Sequence, residues 1–248
     1  MNIANYQATP ELLKDRVILV TGAGSGIGKA VAIDCAKAGA TVLLLSRTLE
    51  HLETVYDEIE ALNAPQPALL HIDMEQAGIK EYEEIATSIR KEYGHLDGLL
   101  HNAGRVNALT QFQHIELSTW SQLITLHIHA PFLLTRTCLP LLEAAKDPTV
   151  LFTLDDATRA YWGAYGVAKH AQQGFLKILA DELDGDVPIR VNGIKPGPVR
   201  TPLRTHHYPG INPNTLPAPE TVTSAFLYYL GPDSQRHTGE IFQLREKP

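Results

Sequence analysis

The sequence predicts an α/β fold, a doubly wound parallel sheet with helices on both faces, on three observations. Short apolar runs alternate with helical patterns along nearly the whole chain, which is how a parallel sheet covered on both sides reads. The first run, 17–21, breaks into glycines at 22, 24, 26 and 28 and then becomes helical. Third, residues able to hold a ligand or move a proton follow directly after strands, where open parallel sheets bind ligands.

Composition bounds the possibilities. A chain of 248 residues, 44% hydrophobic and 20% charged, has ample material for a core. Neither a repeat nor a linker interrupts it, so residues 1–248 read as one domain. The net charge of −7, with no cluster of Lys and Arg, argues against a nucleic-acid partner. Cys35 and Cys138 sit in helical apolar patterns and read as buried thiols, without a disulfide framework or metal spacing. The first residues have neither a basic start nor an apolar stretch, so no secretory signal is expected. The uncharged stretch 117–135 holds His, Ser, Thr and Gln and reads as a core helix, with no membrane partner. A cytoplasmic location is the expectation.

The elements follow in order. Strand 17–21 leads to helix 26–38, which Gly39 stops. Strand 41–46 precedes a polar helix over 49–62, and strand 68–72 a charged helix ending near Tyr93. Strand 96–101 precedes a long helix over 117–145, interrupted at Pro131. Strand 149–154, helix 162–183 and strand 187–194 come next, and helix 219–230 and strand 240–244 close the chain. Residues 200–219 contain five prolines and two adjacent His, an irregular segment after the sixth strand. A loop of that length at the ligand end of a sheet is functional or disordered.

Several residues then suggest chemistry. The turn containing Gly22, Ser25, Gly26, Ile27 and Gly28 leaves the N–H groups of a helix N-terminus free for a pyrophosphate. Arg47 follows the second strand where a carboxylate would grip a ribose diol; its cation instead suits a 2′-phosphate, favouring NADP(H) over NAD(H), or it stands as a solvated surface residue. Asp73 ends the third strand and could reach an adenine amine or cap the next helix. Asn102, Ala103 and Gly104 end the fourth with small residues that allow a flat cofactor to approach. Tyr165 and Lys169, at i and i+4, share one helical face. An ammonium beside the phenol is expected to lower its pKa toward working pH, so that it exchanges a proton with a carbonyl oxygen.

Together these stretches resemble the short-chain dehydrogenase/reductase family. The resemblance rests on Thr21-Gly-Ala-Gly-Ser-Gly-Ile-Gly28, Asp73, Asn102-Ala-Gly104, Tyr165-x-x-x-Lys169 and Pro196-Gly-Pro-Val-Arg-Thr201. Leu96-Asp-Gly-Leu-Leu-His-Asn-Ala-Gly104, Trp162-Gly-Ala-Tyr165 and Gly231-Pro-Asp-Ser234 are similar to its YciK-type bacterial members. It implies a Rossmann-type seven-stranded sheet of order 3-2-1-4-5-6-7, a nicotinamide cofactor, a small carbonyl or alcohol substrate and a homodimer or homotetramer. By the same resemblance Tyr165 is the acid/base and Lys169 binds the nicotinamide ribose. Pro196, Gly197, Val199 and Thr201 line the nicotinamide, and 200–219 forms a substrate lid.

Two positions depart from the family. Asp155 stands where it has a Ser that donates to the substrate oxygen, which an ionised carboxylate cannot do and a protonated one can. An anionic Asp155 beside Tyr165 is expected to oppose phenolate formation. Thr153 and Thr158 could supply a hydroxyl instead. His127 stands where the family has an Asn that holds a water linked to the Lys; it reads either as a proton relay or as a buried imidazole. The leading function is therefore an NADP(H)-dependent oxidoreductase with Tyr165 as acid/base. The alternative is an NADP(H)-binding protein of weak or lost catalysis, acting as a sensor or scaffold.

Overall fold

A computed structural model describes residues 3–185, 188–208, 210–235 and 237–244. Seven strands form one parallel sheet: β1 (Val17–Thr21), β2 (Thr41–Ser46), β3 (Ala68–His71), β4 (Gly98–His101), β5 (Thr149–Thr153), β6 (Arg190–Lys195) and β7 (Ile241–Gln243). Their order is β3-β2-β1-β4-β5-β6-β7, as the resemblance implied. Crossing from β3 to β4 reverses the direction of winding beside β1, and a crevice opens there at the carboxyl ends.

Period-two alternation sends successive strand residues to opposite faces. Ile18, Val20, Val42, Leu44 and Leu100 pack with helices α1 (Gly26–Lys37), α2 (Leu49–Glu60) and α8 (Thr223–Leu230). Leu19, Leu43, Leu45, Leu99 and Phe152 pack on the other face, against α3 (Ile79–Glu92), α5 (Ala130–Leu142) and α6 (Gly163–Glu182). Cys35 and Cys138 are buried thiols, both held protonated by that burial. Among the described residues no helix is long and apolar enough to cross a membrane.

Several boundaries differ from the expectation. The Leu96 amide donates to the Leu141 carbonyl at 3.0 Å, so pairing in β4 starts only at Gly98. The long helix breaks before Pro131: α4 (Leu117–Ile124) runs into a π turn at Thr125–His129 and then α5. Pro131 follows in the first turn of α5, which continues from the π turn, and its ring removes the amide that would serve the His127 carbonyl. The sixth strand begins at Arg190, and Val187 lies outside the described residues. Segment 200–219 is less irregular than its prolines suggest. It contains α7 (Pro202–His207), with Thr201 Oγ1 accepting from the Arg204 amide at 3.2 Å.

Candidate active site

Backbone geometry builds one half of the crevice. Gly22 has φ +67°, and a Cβ there would lie 2.9 Å from the Ala103 Cα. At Gly28 a Cβ would stand 2.2 Å from the Gly22 carbonyl oxygen. Only glycine lets β1, the turn and α1 close this tightly. Thr21 ties the turn to β4: its hydroxyl donates to the Leu100 carbonyl at 3.0 Å and accepts from the Asn102 and Ala103 amides at 2.9 and 3.0 Å. The Asn102 side chain is itself pinned, donating to the Thr21 carbonyl and accepting from the Thr153 hydroxyl at 3.1 Å. Ser25, extended at the N-cap of α1, does not use its hydroxyl to cap the helix.

One cleft joins this cradle to the other expected residues. Gly22, Ser25, Gly26 and Ile27 line its middle together with Asn102, Ala103 and Gly104. Arg47 and Asp73 line one end; Pro196, Gly197, Val199, Thr201, His127, Asp155, Tyr165 and Lys169 line the other. Gly28 is the exception. It is buried behind the turn and shapes the cradle instead of facing the cleft.

At the outer end, Arg47 is exposed and pairs with Glu75 at 3.4 Å, while Arg105 pairs with the second oxygen of Glu75 at 3.2 Å. Asp73 does not cap α3, whose N-cap is Gly78. Its Oδ1 accepts from the Glu75 amide at 3.0 Å, holding the turn after β3 and leaving the carboxylate at the cleft. The paired glycine amides and helix N-terminus suit an anionic diphosphate, and the Arg47 side suits a further anion. These residues thus fit a nicotinamide dinucleotide.

Side chains build the inner end. Tyr165, in the first turn of α6, donates from its hydroxyl to Asp155 Oδ2 at 3.1 Å, and the Asp156 amide donates to Asp155 Oδ1 at 2.7 Å. Lys169, one turn on, donates to the Thr153 carbonyl at 2.8 Å and to Gln172 Oε1 at 3.0 Å. Its Nζ stands 5.9 Å from the Tyr165 ring centre. Burial, and next the Asp155 carboxylate, push the Tyr165 pKa well above 10, with Arg204 opposing. The depression expected from the ammonium is not found; burial and the Asp155 carboxylate, whose opposition was also expected, raise the phenol instead. Burial lowers Lys169 itself to about 8, with Asp155 pulling the other way.

The two substitute hydroxyls are not available. Thr153 Oγ1 is spent on Asn102, and Thr158 is exposed and absent from the cleft lining. The His127 imidazole is fully buried, edge-on to Tyr165 with 5.4 Å between centres. Burial, then the Lys169 charge, lower its pKa to about 3, so it is neutral. Its Nε2 is 3.0 Å from the Arg105 carbonyl and therefore carries the proton, while buried Nδ1 has no partner. A neutral ring with its one proton on a backbone carbonyl is a poor relay; what His127 offers Lys169 is its own carbonyl, through Gln172.

Some residues escaped sequence reasoning. Gln172, three residues past Lys169 on the same face of α6, was legible from i, i+3 spacing alone. Arg204 and Tyr208, whose guanidinium and ring stack at 3.9 Å, reach the cleft only because 200–219 folds over it. No sequence signal marks Glu75 as the acid shared by two arginines.

These features define a dinucleotide-type crevice with a Tyr–Lys pair at its inner end. Residues 16–211 match the short chain dehydrogenase family. The oxidoreductase YciK of Escherichia coli K12 is 36% identical over 241 residues, 96% of this chain and 95% of its own. A short chain dehydrogenase structure from Pseudomonas syringae is 43% identical, with a TM-score of 0.95 and coverage of 97% of this chain and 99% of that one. Another, from Escherichia coli CFT073 in complex with NADPH, is 35% identical with a TM-score of 0.92, covering 96% and 100%. The chain belongs to the short chain dehydrogenase family, whose members are oxidoreductases that bind nicotinamide cofactors.

Proposed function

We propose that this protein is an NADP(H)-dependent oxidoreductase that interconverts a carbonyl and an alcohol, with Tyr165 as the acid/base. The observation that carries the reading is the meeting of Tyr165, Asp155 and Lys169 in the same cleft as the glycine cradle. NADP(H), the ligand of a similar structure, is supported here by the cationic Arg47 and the absence of an acidic residue at that position. When bound, NADPH supplies the hydride.

The chain's own residues supply the rest. Tyr165 is a neutral phenol and gives its proton to the substrate oxygen as the carbonyl carbon gains hydride. To do so it must turn its O–H from Asp155 to the substrate. Asp155 thus holds the hydroxyl in the idle state as an acceptor, at the position where the family has a donor. The Lys169 ammonium, fixed by two acceptors, would stabilise the phenolate left behind and bind the cofactor's ribose. Arg204 and Tyr208 line this end, which supports reading 200–219 as a lid over the substrate.

A second reading, cofactor binding with little turnover, is favoured by one fact: a carboxylate occupies the phenol's hydrogen bond and opposes its ionisation. Consumption of NADPH against aldehydes, ketones, dicarbonyls and quinones separates the two. Turnover in the wild type that disappears in Tyr165→Phe is expected. Silence in the wild type with activity gained in Asp155→Ser would replace the first reading with the second.

A further inference from the structure

The strongest unexplained arrangement lies just behind Lys169. Pro131 has no N–H, so the carbonyl of His127, four residues earlier, has no i→i+4 backbone donor. A buried carbonyl without a partner is costly. Gln172 reaches it from α6: Nε2 donates to the His127 oxygen at 2.8 Å, and Oε1 accepts from Lys169 Nζ at 3.0 Å. The orientation of this amide is unambiguous, because a carbonyl can only accept and an ammonium only donate. Gln172 is 1% exposed and Lys169 is 5% exposed.

An ammonium has three N–H donors. The Thr153 carbonyl takes one and Gln172 the second, which leaves one for the cleft that Lys169 lines. We propose that Gln172 is a positioning residue for the reaction: by bridging the His127 carbonyl to Lys169 directly, it fills the place of a linking water and fixes which ammonium proton faces the reacting atoms. A closed amide bridge also means that Lys169 exchanges protons from the cleft side and not through the π turn. Three features of this chain then belong together: the π turn carrying His127, the proline after it, and the glutamine on the facing helix. The proposal rests on the reductase reading only for its kinetic consequence.

The charged and titratable groups facing Lys169 are few. Asp155 approaches from the loop after β5 and Tyr165 from its own helix, while His101 on β4 and His127 on the π turn are both neutral, lowered to about 3 chiefly by burial. Of the two acceptors on Nζ, only Gln172 can be removed by substitution.

The test compares Gln172→Leu with Gln172→Ala in the full chain. Leucine fills the volume without polar atoms, whereas alanine leaves room for a water between His127 and Lys169. A bridging role predicts that leucine is the worse change; a packing role predicts that alanine is, because it opens a cavity. The direct readout is the titration of the Lys169 ¹³Cε NMR signal without cofactor. Loss of an acceptor disfavours the ammonium, so the midpoint is expected to fall in leucine by about half a unit or more and less in alanine. With NADPH and a turned-over carbonyl, leucine is expected to lose about tenfold in kcat, with its pH profile displaced in the same direction, and alanine less.

A Lys169 midpoint unmoved in both variants, or alanine impaired more than leucine, overturns the proposal. The two readings fail separately. A wild type without turnover whose Lys169 shifts in the leucine variant keeps the bridge and sinks the reductase reading. Turnover abolished by Tyr165→Phe with Lys169 unmoved in both Gln172 variants does the reverse.

Discussion

The two ends of the cleft are made of different materials. Around Gly22 and Gly26, with Gly28 packed behind them, the backbone itself forms the surface, and the hydrogen bonds come from Thr21 and a helix N-terminus. Around Tyr165 the surface is side chains from a loop, a π turn and two helices, each oriented by another. A backbone site is tolerant of neighbours but intolerant of a single Cβ. A side-chain site, by contrast, can exchange residues when their partners change with them.

The sharpest way to break this contrast is Tyr165→Phe. Loss of a proton donor costs about 10²–10⁴-fold in rate, so kcat is expected to fall by that much while NADPH affinity, measured by fluorescence titration, stays within a few-fold. An equal loss of affinity would mean that the two ends are not separable. Gly28→Ala is the counterpart. Its Cβ would meet the Gly22 oxygen at 2.2 Å and Asn102 Nδ2 at 2.5 Å. Overpacking of this kind costs about 1–3 kcal/mol, so both a lower Tm and weaker NADPH binding are expected. Full retention of both would dismiss the backbone account of the cradle.

Titration sharpens the comparison, since the ionisable groups that shift most in the cleft belong to the inner end. Lys169 is charged below about pH 8 and loses its proton above it, whereas Tyr165 stays protonated throughout. Activity in the reductive direction is therefore expected to be flat through neutrality and to decline as pH rises past about 8. A rise there would show the phenolate to be the active form.

His101 and His127 are lowered from 6.5 to about 3, so the folded state refuses protons that the unfolded chain accepts. That stability is complete above pH 6.5 and is lost progressively as pH falls toward 3. Urea midpoints at pH 7, 5 and 4 should decline in that order. The smallest effect is expected at the outer end. Arg47 is exposed, and exposed charges contribute up to about 1 kcal/mol, so Arg47→Ala should weaken NADPH by at most several-fold and NADH hardly at all. An equal loss for both cofactors would remove Arg47 from phosphate recognition.

The cleft was legible from the chain to the extent that it is local. The glycine turn needs consecutive residues in special conformations, and Tyr165 and Lys169 need only helical spacing. All the residues expected to face the cofactor do line the cleft except Gly28, which acts one layer behind. What escaped depends on distant partners. Spacing alone set Lys169 against the phenol and suggested a depressed pKa. The opposing effect of Asp155 was also expected from the sequence; what only the fold supplies is the burial of the phenol, the largest cause of its raised pKa.

By itself, then, the sequence determined the parallel sheet, its covering helices, the phosphate cradle and the Tyr–Lys pair, because alternation, glycine and helical period are short-range physics. Only the tertiary structure decided the inner end: that Asp155 holds the Tyr165 hydroxyl, that the long helix breaks at Thr125–His129, and that Gln172 joins His127 to Lys169. Apart from the i, i+3 spacing of Lys169 and Gln172, those contacts depend on burial and on groups from different strands and helices meeting within hydrogen-bond distance, which no local pattern encodes.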